Sequence, residues 1–203
     1  GVRIEQVVST YDAAGHLTRE VHHAGGGVVI TVTHAVDPRG WVPESVHSVA
    51  GTTTRRFDAA GNVTAEWAAD VAPDKRGTDP LAATRTTYDE LGRATRAVAP
   101  GNPDEKADTT TYSPGGRVLE TKAADGTWAR FLYDAAGNCV AETRPVEGGS
   151  ATVTDVSIYD LAGRLTARVK AAGTPEQAAT TFAYDLLGRQ ISAQLGQPST
   201  KTY

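Results

Sequence analysis

The chain has no methionine and only one cysteine among its 203 residues, and it begins with Gly1. A start without methionine predicts a processed or excised piece of a longer protein. The single thiol, Cys139, excludes an intrachain disulfide and does not assign a redox compartment.

Apolar residues are also scarce. They make up 39% of the chain, below the roughly 45–50% of an average globular protein, and many of them are alanine. This composition argues against one thick aliphatic core. It predicts a thin, extended β-architecture in which neighbouring hairpins share side chains. No apolar stretch approaches the roughly 18–20 residues that cross a bilayer, so we expect no membrane span.

Runs of one charge are missing as well. The formal net charge is −4, acidic and basic residues are mixed along the chain, and the longest basic cluster is Arg55-Arg56. Nucleic-acid binding draws on clustered lysine and arginine, so we expect no nucleic-acid partner.

The chain does contain an internal repeat, and a repeated motif indicates a fold built from repeated structural units. The motif is an aromatic residue, Asp, two variable residues and Gly. Eight copies occur with starts 21 to 31 residues apart. The copies begin at Tyr11, Val36, Phe57, Tyr88, Tyr112, Tyr133, Tyr159 and Tyr184, and Tyr203 stands where a ninth would open. Their acidic and glycine positions are Asp12, Asp37, Asp58, Asp89, Asp134, Asp160 and Asp185, with Gly15, Gly40, Gly61, Gly92, Gly116, Gly137, Gly163 and Gly188.

Each motif position has a predicted structural task. Threonine and β-branched residues before the aromatic favour a strand, and the aspartate can close a turn by accepting backbone N–H groups two or three residues on. The glycine supplies the positive φ of a short hairpin loop. An arginine after it (Arg93, Arg117, Arg164 or Arg189) can lie over a ring or pair with an aspartate.

The period varies while the motif does not, which predicts that the motif turns lie along one rim of a sheet. The variable connections (70–82, 99–108, 144–151 and 171–178) are then loops at the other rim. We expect one array of about eight hairpin units over residues 1–203, incomplete at both ends. A lone hairpin is marginal in water, so stability must come from stacking unit on unit.

These repeats resemble the YD-repeat, or RHS-repeat, family, most closely at Tyr159-Asp-Leu-Ala-Gly-Arg and Tyr184-Asp-Leu-Leu-Gly-Arg. The family includes bacterial Rhs polymorphic toxins, cocoon subunits of insecticidal toxin complexes, wall-associated contact-dependent toxins and, more distantly, teneurins. The resemblance implies an all-β fold: tandem hairpins forming an extended, twisted antiparallel sheet, a fragment of a spiralling shell. In bacterial members the shell encloses a toxin, which implies shell segments, toxin cargo or a secretion component as partners and export from a bacterial cell.

One element resembles the aspartate-proline site at which bacterial shells cleave themselves, namely Asp37-Pro38-Arg39-Gly40. It falls in register as a repeat turn and lacks the surrounding core segment, and nothing after Tyr184 matches that segment. We therefore interpret it as a turn. The chain also looks too short to close a shell alone.

Candidate catalytic and metal-binding residues have simpler interpretations. His16, His22, His23, His34 and His47 are concentrated near the N-terminus, but none has zincin spacing, and no cysteine pair accompanies them. The motif aspartates recur in every unit, whereas catalysis needs one special site. Gly25-Gly26-Gly27 lacks the frame of a phosphate loop, and Cys139 fills a slot that is apolar elsewhere. We expect no cofactor, no metal and no enzymatic activity.

Three hypotheses remain open. The first is a structural segment of a toxin-enclosing shell, with open sheet edges that favour self-association. The second is a module that binds a glycan or receptor, with Trp41, Trp67 and Trp128 as candidate contacts. The third is an enzyme, for which the irregular segment 22–55 is the place to look.

Overall fold

The computed structural model of the chain describes residues 4–146 and 151–196. In these ranges it contains sixteen antiparallel strands and a single turn of 3-10 helix, Pro80–Ala82, which confirms the predicted all-β fold of tandem hairpins. The chain divides into two compact units, Gly1–Ala107 and Asp108–Tyr203. The single array over 1–203 stays a prediction, and Tyr203 lies outside the described residues.

Each unit is an antiparallel meander in which strands pair with their neighbours in chain order. Unit 1 holds β1 (Ile4–Tyr11), β2 (Leu17–Ala24), β3 (Val28–Ala35), β4 (Glu44–His47), β5 (Gly51–Phe57), β6 (Val63–Trp67), β7 (Thr84–Tyr88) and β8 (Ala94–Val98). Unit 2 holds β9 (Asp108–Tyr112), β10 (Val118–Lys122), β11 (Trp128–Tyr133), β12 (Cys139–Pro145), β13 (Thr152–Tyr159), β14 (Leu165–Lys170), β15 (Ala178–Tyr184) and β16 (Gln190–Gly196).

The motif turns join each odd-numbered strand to the next even-numbered one. Because strands alternate in direction, all motif turns of a unit lie at one rim of its sheet. The other described connections (25–27, 48–50 and 68–83 in unit 1, and 123–127 and 171–177 in unit 2) lie at the opposite rim. This two-rim arrangement is the one that the fixed motif and variable period predict.

The sheets are thin, in line with the alanine-rich composition. Among the described residues, the buried apolar side chains are Ala24, Trp67, Ala83, Val98 and Ala107. All five lie in unit 1, and the last four lie where two long connections, 68–83 and 99–107, cover the ends of β6 and β8. The sequence predicted plain surface loops here, and the structure shows that these loops enclose a small core.

Trp67 is the centre of that core. Its side chain is 1% exposed, and its indole Nε1–H donates to the Asp79 carbonyl oxygen at 2.8 Å. Arg85 ties the two loops together, donating to the carbonyls of Pro80 (2.6 Å) and Asn102 (2.9 Å). The loops are therefore held by side chains of the sheet that they cover.

Within the described residues, no helix has the length and apolar character needed to cross a bilayer.

Candidate functional site

The repeated turn has one backbone geometry in all eight copies, including the degenerate one at Val36. The N–H of the acidic position (Ser113 in the Tyr112 copy) donates to the carbonyl four residues on at 2.8–3.0 Å, and the glycine N–H donates back to the acidic position at 2.9–3.2 Å. The glycine φ lies between 74° and 98°. This combination is a type I turn followed by a glycine bulge, which is typical of short hairpins.

The aromatic position is the last residue of an odd-numbered strand, and the strand register shifts there. The residues in this position are Tyr11, Phe57, Tyr88, Tyr112, Tyr133, Tyr159 and Tyr184, while Val36 follows the end of β3.

The aspartate carboxylate organises the turn through both of its oxygens. In the Asp160 turn, Oδ1 accepts the N–H groups of Ala162 and Arg164 at 2.9 Å, and Oδ2 accepts Arg164 Nε at 2.7 Å. The acceptor pattern is therefore two and four residues on, where the sequence suggested two or three. In five other copies the side chain paired with Oδ2 also lies four residues on and is His16, Asn62, Arg93, Asn138 or Arg189. In the Asp37 copy it is Arg39, two residues on.

These hydrogen bonds favour the ionised aspartates. The Arg164 N–H, with its guanidinium, lowers the pKa of Asp160 below its ordinary value. In the Asp58 turn the Asn62 side-chain amide is the largest cause of a lowered pKa, followed by the Asn62 N–H. The same lowering recurs at Asp12, Asp37, Asp89, Asp134 and Asp185. A lowered carboxylate pKa suits an acceptor in a turn and does not suit a general acid.

The turns make the hairpins sensitive to acid. A group whose folded-state pKa is lowered stabilises the fold fully above its ordinary pKa, here 3.8. It loses that contribution as the pH falls from this value through the lower pKa of the folded state. We expect amide protection around the Asp160 turn to drop below about pH 4, since protonation removes the ionised acceptor. Hydrogen exchange, corrected for the intrinsic rate, measures the effect.

The Ser113 turn is the matched control, because its Oγ accepts the Arg117 N–H at 3.0 Å without a titrating carboxylate. Its protection should change much less than that of the Asp160 turn over the same pH range. Equal losses in both turns would contradict the proposed role of the carboxylates.

Tyrosine hydroxyls connect successive hairpins, a contact that the sequence did not predict. Each donates to the carbonyl of the first residue in the second strand of the preceding hairpin. The pairs are Tyr88 to Val63 (2.9 Å), Tyr133 to Val118 (2.8 Å), Tyr159 to Cys139 (3.2 Å) and Tyr184 to Leu165 (2.8 Å). We call this contact the tyrosine link.

In two of these pairs, the arginine that follows the motif glycine also lies over the ring of the linked tyrosine. The Arg117 guanidinium lies 5.7 Å from the Tyr133 ring centroid, and that of Arg164 lies 5.1 Å from the Tyr184 ring centroid. Arg164 therefore contacts Asp160 in its own turn and the aromatic residue of the next. The sequence raised these two uses as alternatives, and one side chain makes both contacts.

Removing one tyrosine hydroxyl should loosen one pair of hairpins. For Tyr184→Phe we expect a loss of about 0.5–1.5 kcal/mol in the local stability of β14 and β15, the usual net value of a hydrogen bond. Hydrogen exchange of the two strands measures it. Tyr11→Phe is the control because Tyr11 is 59% exposed, and it should leave exchange unchanged. Equal effects of the two changes would count against the tyrosine link.

The second and third hairpins of unit 1 are joined differently. Phe57 has no hydroxyl, and its ring packs on Trp41 with centroids 5.3 Å apart and the planes tilted by 36°. The Arg39 guanidinium lies 3.6 Å from the Trp41 ring centroid. An aromatic pair thus stands at this junction in place of the tyrosine link.

A ninth turn of the same geometry lies at the opposite rim of unit 2 and was missed from the sequence. Ala123 N–H donates to Thr127 O at 2.8 Å, Gly126 N–H donates to Ala123 O at 2.9 Å, and Gly126 has a φ of 92°. Asp108 Oδ1 accepts the neighbouring Ala124 N–H at 2.8 Å. The adjacent Asp125-Gly126 pair was the available signal.

A buried carboxylate, Asp155, was also missed. It is 7% exposed, accepts the Ala171 N–H at 2.9 Å, and lies 3.3 Å from Arg144 Nη1. Burial pushes its pKa up, but the Ala171 N–H and Arg144 outweigh that and hold the pKa below its ordinary value. Ala171 has a φ of 50°, a conformation stabilised here by that hydrogen bond. Nothing in the sequence of the surrounding strand indicated that this aspartate is buried.

The other candidates lie apart from one another. His34 Nδ1 is 2.9 Å from Ser45 Oγ, and His47 Nδ1 accepts the Ala50 N–H at 2.9 Å. Within residues 4–146 and 151–196, no three His, Cys, Asp or Glu side chains converge in a way that could hold a metal. Cys139 is half-buried, and burial raises the pKa of its thiol, which disfavours the thiolate.

The three tryptophans differ in environment. Trp67 is buried under the loops of unit 1, and Trp41 packs against Phe57. Trp128 is half-exposed and lines an open cleft of about 440 Å³ in unit 2 with Thr121 and Arg144. A glycan contact at Trp41, Trp67 or Trp128 stays a prediction, and Trp128 is the one that lines an open cleft.

Taken together, the geometry defines a protein of stacked antiparallel hairpins. No protein-family model matches the sequence, and no curated protein matches it either. Among solved structures, the chain resembles a TcdB2-TccC3-Cdc42 crystal structure with a TM-score of 0.69 and 14% identity over 99% of this chain and 11% of that one. A TcdB2-TccC3 crystal structure gives a TM-score of 0.69 and 15% identity over 98% of this chain and 12% of that one.

A Photorhabdus luminescens Tc holotoxin pore gives a TM-score of 0.69 and 15% identity over 98% of this chain and 11% of that one. The likeness confirms, at the level of the fold, the resemblance to RHS/YD-repeat shells that the motifs indicated. The chain spans about a ninth of the length of these structures, so what they assemble with is a statement about them.

Proposed function

We propose that the chain is a non-catalytic structural segment of an RHS/YD-repeat shell that encloses or presents a toxin polypeptide. The observation that carries the proposal is the tyrosine link, which joins hairpin to hairpin in the same way at four junctions. A contact that is repeated at equivalent positions joins successive hairpins into one continuous sheet, which can serve as the wall of a shell. A catalytic site would need one unit that differs from the rest.

The fold likeness to TcdB2-TccC3 structures supports this role, since it extends over 98–99% of the chain. The remaining shell segments are then its permanent neighbours, and a toxin cargo or a secretion component is its transient partner. We place the protein in a bacterial secretion context, made in the cytoplasm and delivered outside the cell.

The sheet edges favour assembly with further strands. In the described residues β1 pairs only with β2, and β16 pairs only with β15. Exposed apolar side chains accompany these strands, with Val7 at 47% and Leu195 at 76%. An unpaired edge is a template for another strand, so the isolated chain should self-associate. Light scattering over a range of concentrations tests this, and a strictly monomeric species would contradict it.

Protease protection tests the enclosing role. The longest natural polypeptide that contains this sequence is treated with a broad-specificity protease before and after urea unfolds the assembly. A shell predicts a cargo segment that resists cleavage before unfolding and is degraded afterwards. A cargo cleaved equally fast in both states would sink the proposal.

A second candidate function is glycan binding, favoured by the half-exposed Trp128 beside an open cleft. Aromatic faces next to polar side chains suit sugar rings, and Asp108 and Arg144 also line this cleft. A glycan array probed with the native chain and with Trp128→Ala separates the two functions. Binding that survives the change would exclude this cleft as the site.

A further inference from the structure

A small pocket separates the first two hairpins of unit 1 at the rim of the motif turns. It has a volume of about 320 Å³ and is lined by His16, Leu17, His34, Val36, Gly40 and Val42. This volume is at the lower end of the roughly 300–1,000 Å³ range of ligand pockets.

The lining residues occupy the positions that form the tyrosine link in other repeats. At the last junction the Tyr184 hydroxyl donates to the Leu165 carbonyl, and the Arg164 guanidinium lies over the Tyr184 ring. Counted from the motif aspartate, His16 corresponds to Arg164 and Leu17 to Leu165. Val36 stands where Tyr184 stands, so this junction has the surroundings of a tyrosine without the tyrosine.

The two hairpins nevertheless make the turn-to-turn contact that other neighbouring hairpins make, including the tyrosine-linked pair in which a Cβ added to Gly92 would lie 3.3 Å from Asn62 Oδ1. A Cβ added to Gly40 would lie 2.9 Å from His16 Nε2, just as one added to Gly61 would lie 3.0 Å from the Trp41 ring. In both cases the glycine of one turn abuts the residue four positions after the acidic position of the preceding turn. The pocket therefore lies where a tyrosine ring packs at the linked junctions, between two hairpins whose turns are in contact.

The chemistry of the pocket suits a phenol. Leu17, Val36 and Val42 supply apolar walls, and His16 stands where an arginine lies over the ring in other copies. The Leu17 carbonyl occupies the position of the acceptor in the tyrosine link. We propose that this pocket binds a para-substituted phenol, the chemistry of a tyrosine side chain. The site is independent of the enclosing role.

Titration with p-cresol tests the site directly. With an isotope-labelled chain, NMR shifts should be confined to the residues around the pocket, above all His16, Leu17 and Val36. Toluene, which lacks the hydroxyl, should bind about tenfold more weakly, because the hydrogen bond to the carbonyl is lost. A peptide with one central tyrosine forms a third arm: tighter binding than p-cresol indicates a polypeptide ligand, and weaker binding indicates a free phenol.

The variant Val36→Tyr supplies the missing ring from within the chain. It should abolish p-cresol binding and raise the thermal midpoint of unit 1, whereas Val29→Tyr, at a position that is 52% exposed, should leave binding unchanged. If Val36→Tyr does not fold, Val36→Phe fills the same space without the hydroxyl and should also abolish binding. Equal affinity for p-cresol and toluene, shifts spread over the whole sheet, or binding that survives a folded position-36 variant would each overturn the proposal.

Discussion

Replacing Trp67 with alanine is expected to destabilise unit 1 by about 3–5 kcal/mol, the usual range for removing a buried tryptophan. The ring is 1% exposed, and the Arg56 guanidinium lies 5.3 Å from its centroid. The change leaves a cavity under the loop 68–83 and removes the donor to the Asp79 carbonyl. Urea unfolding gives the loss of stability, and hydrogen exchange shows whether it begins in the covering loops.

Trp128→Ala is the matched control for that experiment. Trp128 is half-exposed and lies in unit 2, with the Arg130 guanidinium 4.8 Å from its ring centroid. We expect a loss of about 1–2 kcal/mol in the free energy of unfolding, because a half-exposed ring buries much less apolar surface than Trp67 does. A Trp67→Ala protein within about 1 kcal/mol of the native chain would show that the loops of unit 1 do not depend on this core.

The second large effect is expected at Gly61. Its φ is 91°, a conformation that costs a non-glycine residue roughly 1–2 kcal/mol, and an added Cβ would lie 3.0 Å from the Trp41 ring. Trp41 is held against Phe57, so it cannot move away without disturbing that pair. Overpacking adds about 1–3 kcal/mol, and Gly61→Ala should therefore cost roughly 2–5 kcal/mol in urea unfolding.

Gly15→Ala isolates the backbone part of this cost. Gly15 has a similar φ of 88°, but nothing lies within 4 Å of an added Cβ. It should cost only the roughly 1–2 kcal/mol of the strained backbone. If the two alanine variants lose the same stability, then the contact between neighbouring turns contributes nothing.

The parts of the fold that follow from local chemistry were predictable. Aspartate, two variable residues and a glycine specify the turn through contacts within five residues. The copy that begins with Val36 instead of an aromatic residue could therefore still be recognised in register. The two-rim arrangement follows from the same motif, because antiparallel strands that alternate in direction bring equivalent turns to one edge.

The parts that depend on distant residues were not predictable. The core around Trp67 forms only when the loop 68–83 folds back over β6, and a single sequence does not show which loop covers which ring. The tyrosine link joins residues up to 25 positions apart through a backbone carbonyl. Every residue has a backbone carbonyl, so the residue type at the acceptor position does not reveal the contact.

The use of backbone carbonyls as acceptors also accounts for a fold shared at 14–15% identity with the TcdB2-TccC3 structures. The turn requires an acidic or hydroxyl side chain and a glycine, while the strand ladders and the tyrosine link use backbone groups as acceptors. Most positions are then free to vary without loss of the stacking. The exceptions in this chain, Val36 and Phe57, are the positions where a junction lacks the tyrosine hydroxyl.

Electron cryomicroscopy of the longest natural polypeptide that contains this sequence tests the central claim most directly. The account predicts a closed wall of antiparallel strands in which β1 to β16 form consecutive hairpins, with the tyrosine links between them and further strands paired to β1 and β16. A density in which this segment is a free-standing domain, with both outer edges exposed to solvent and no enclosed polypeptide, would contradict it.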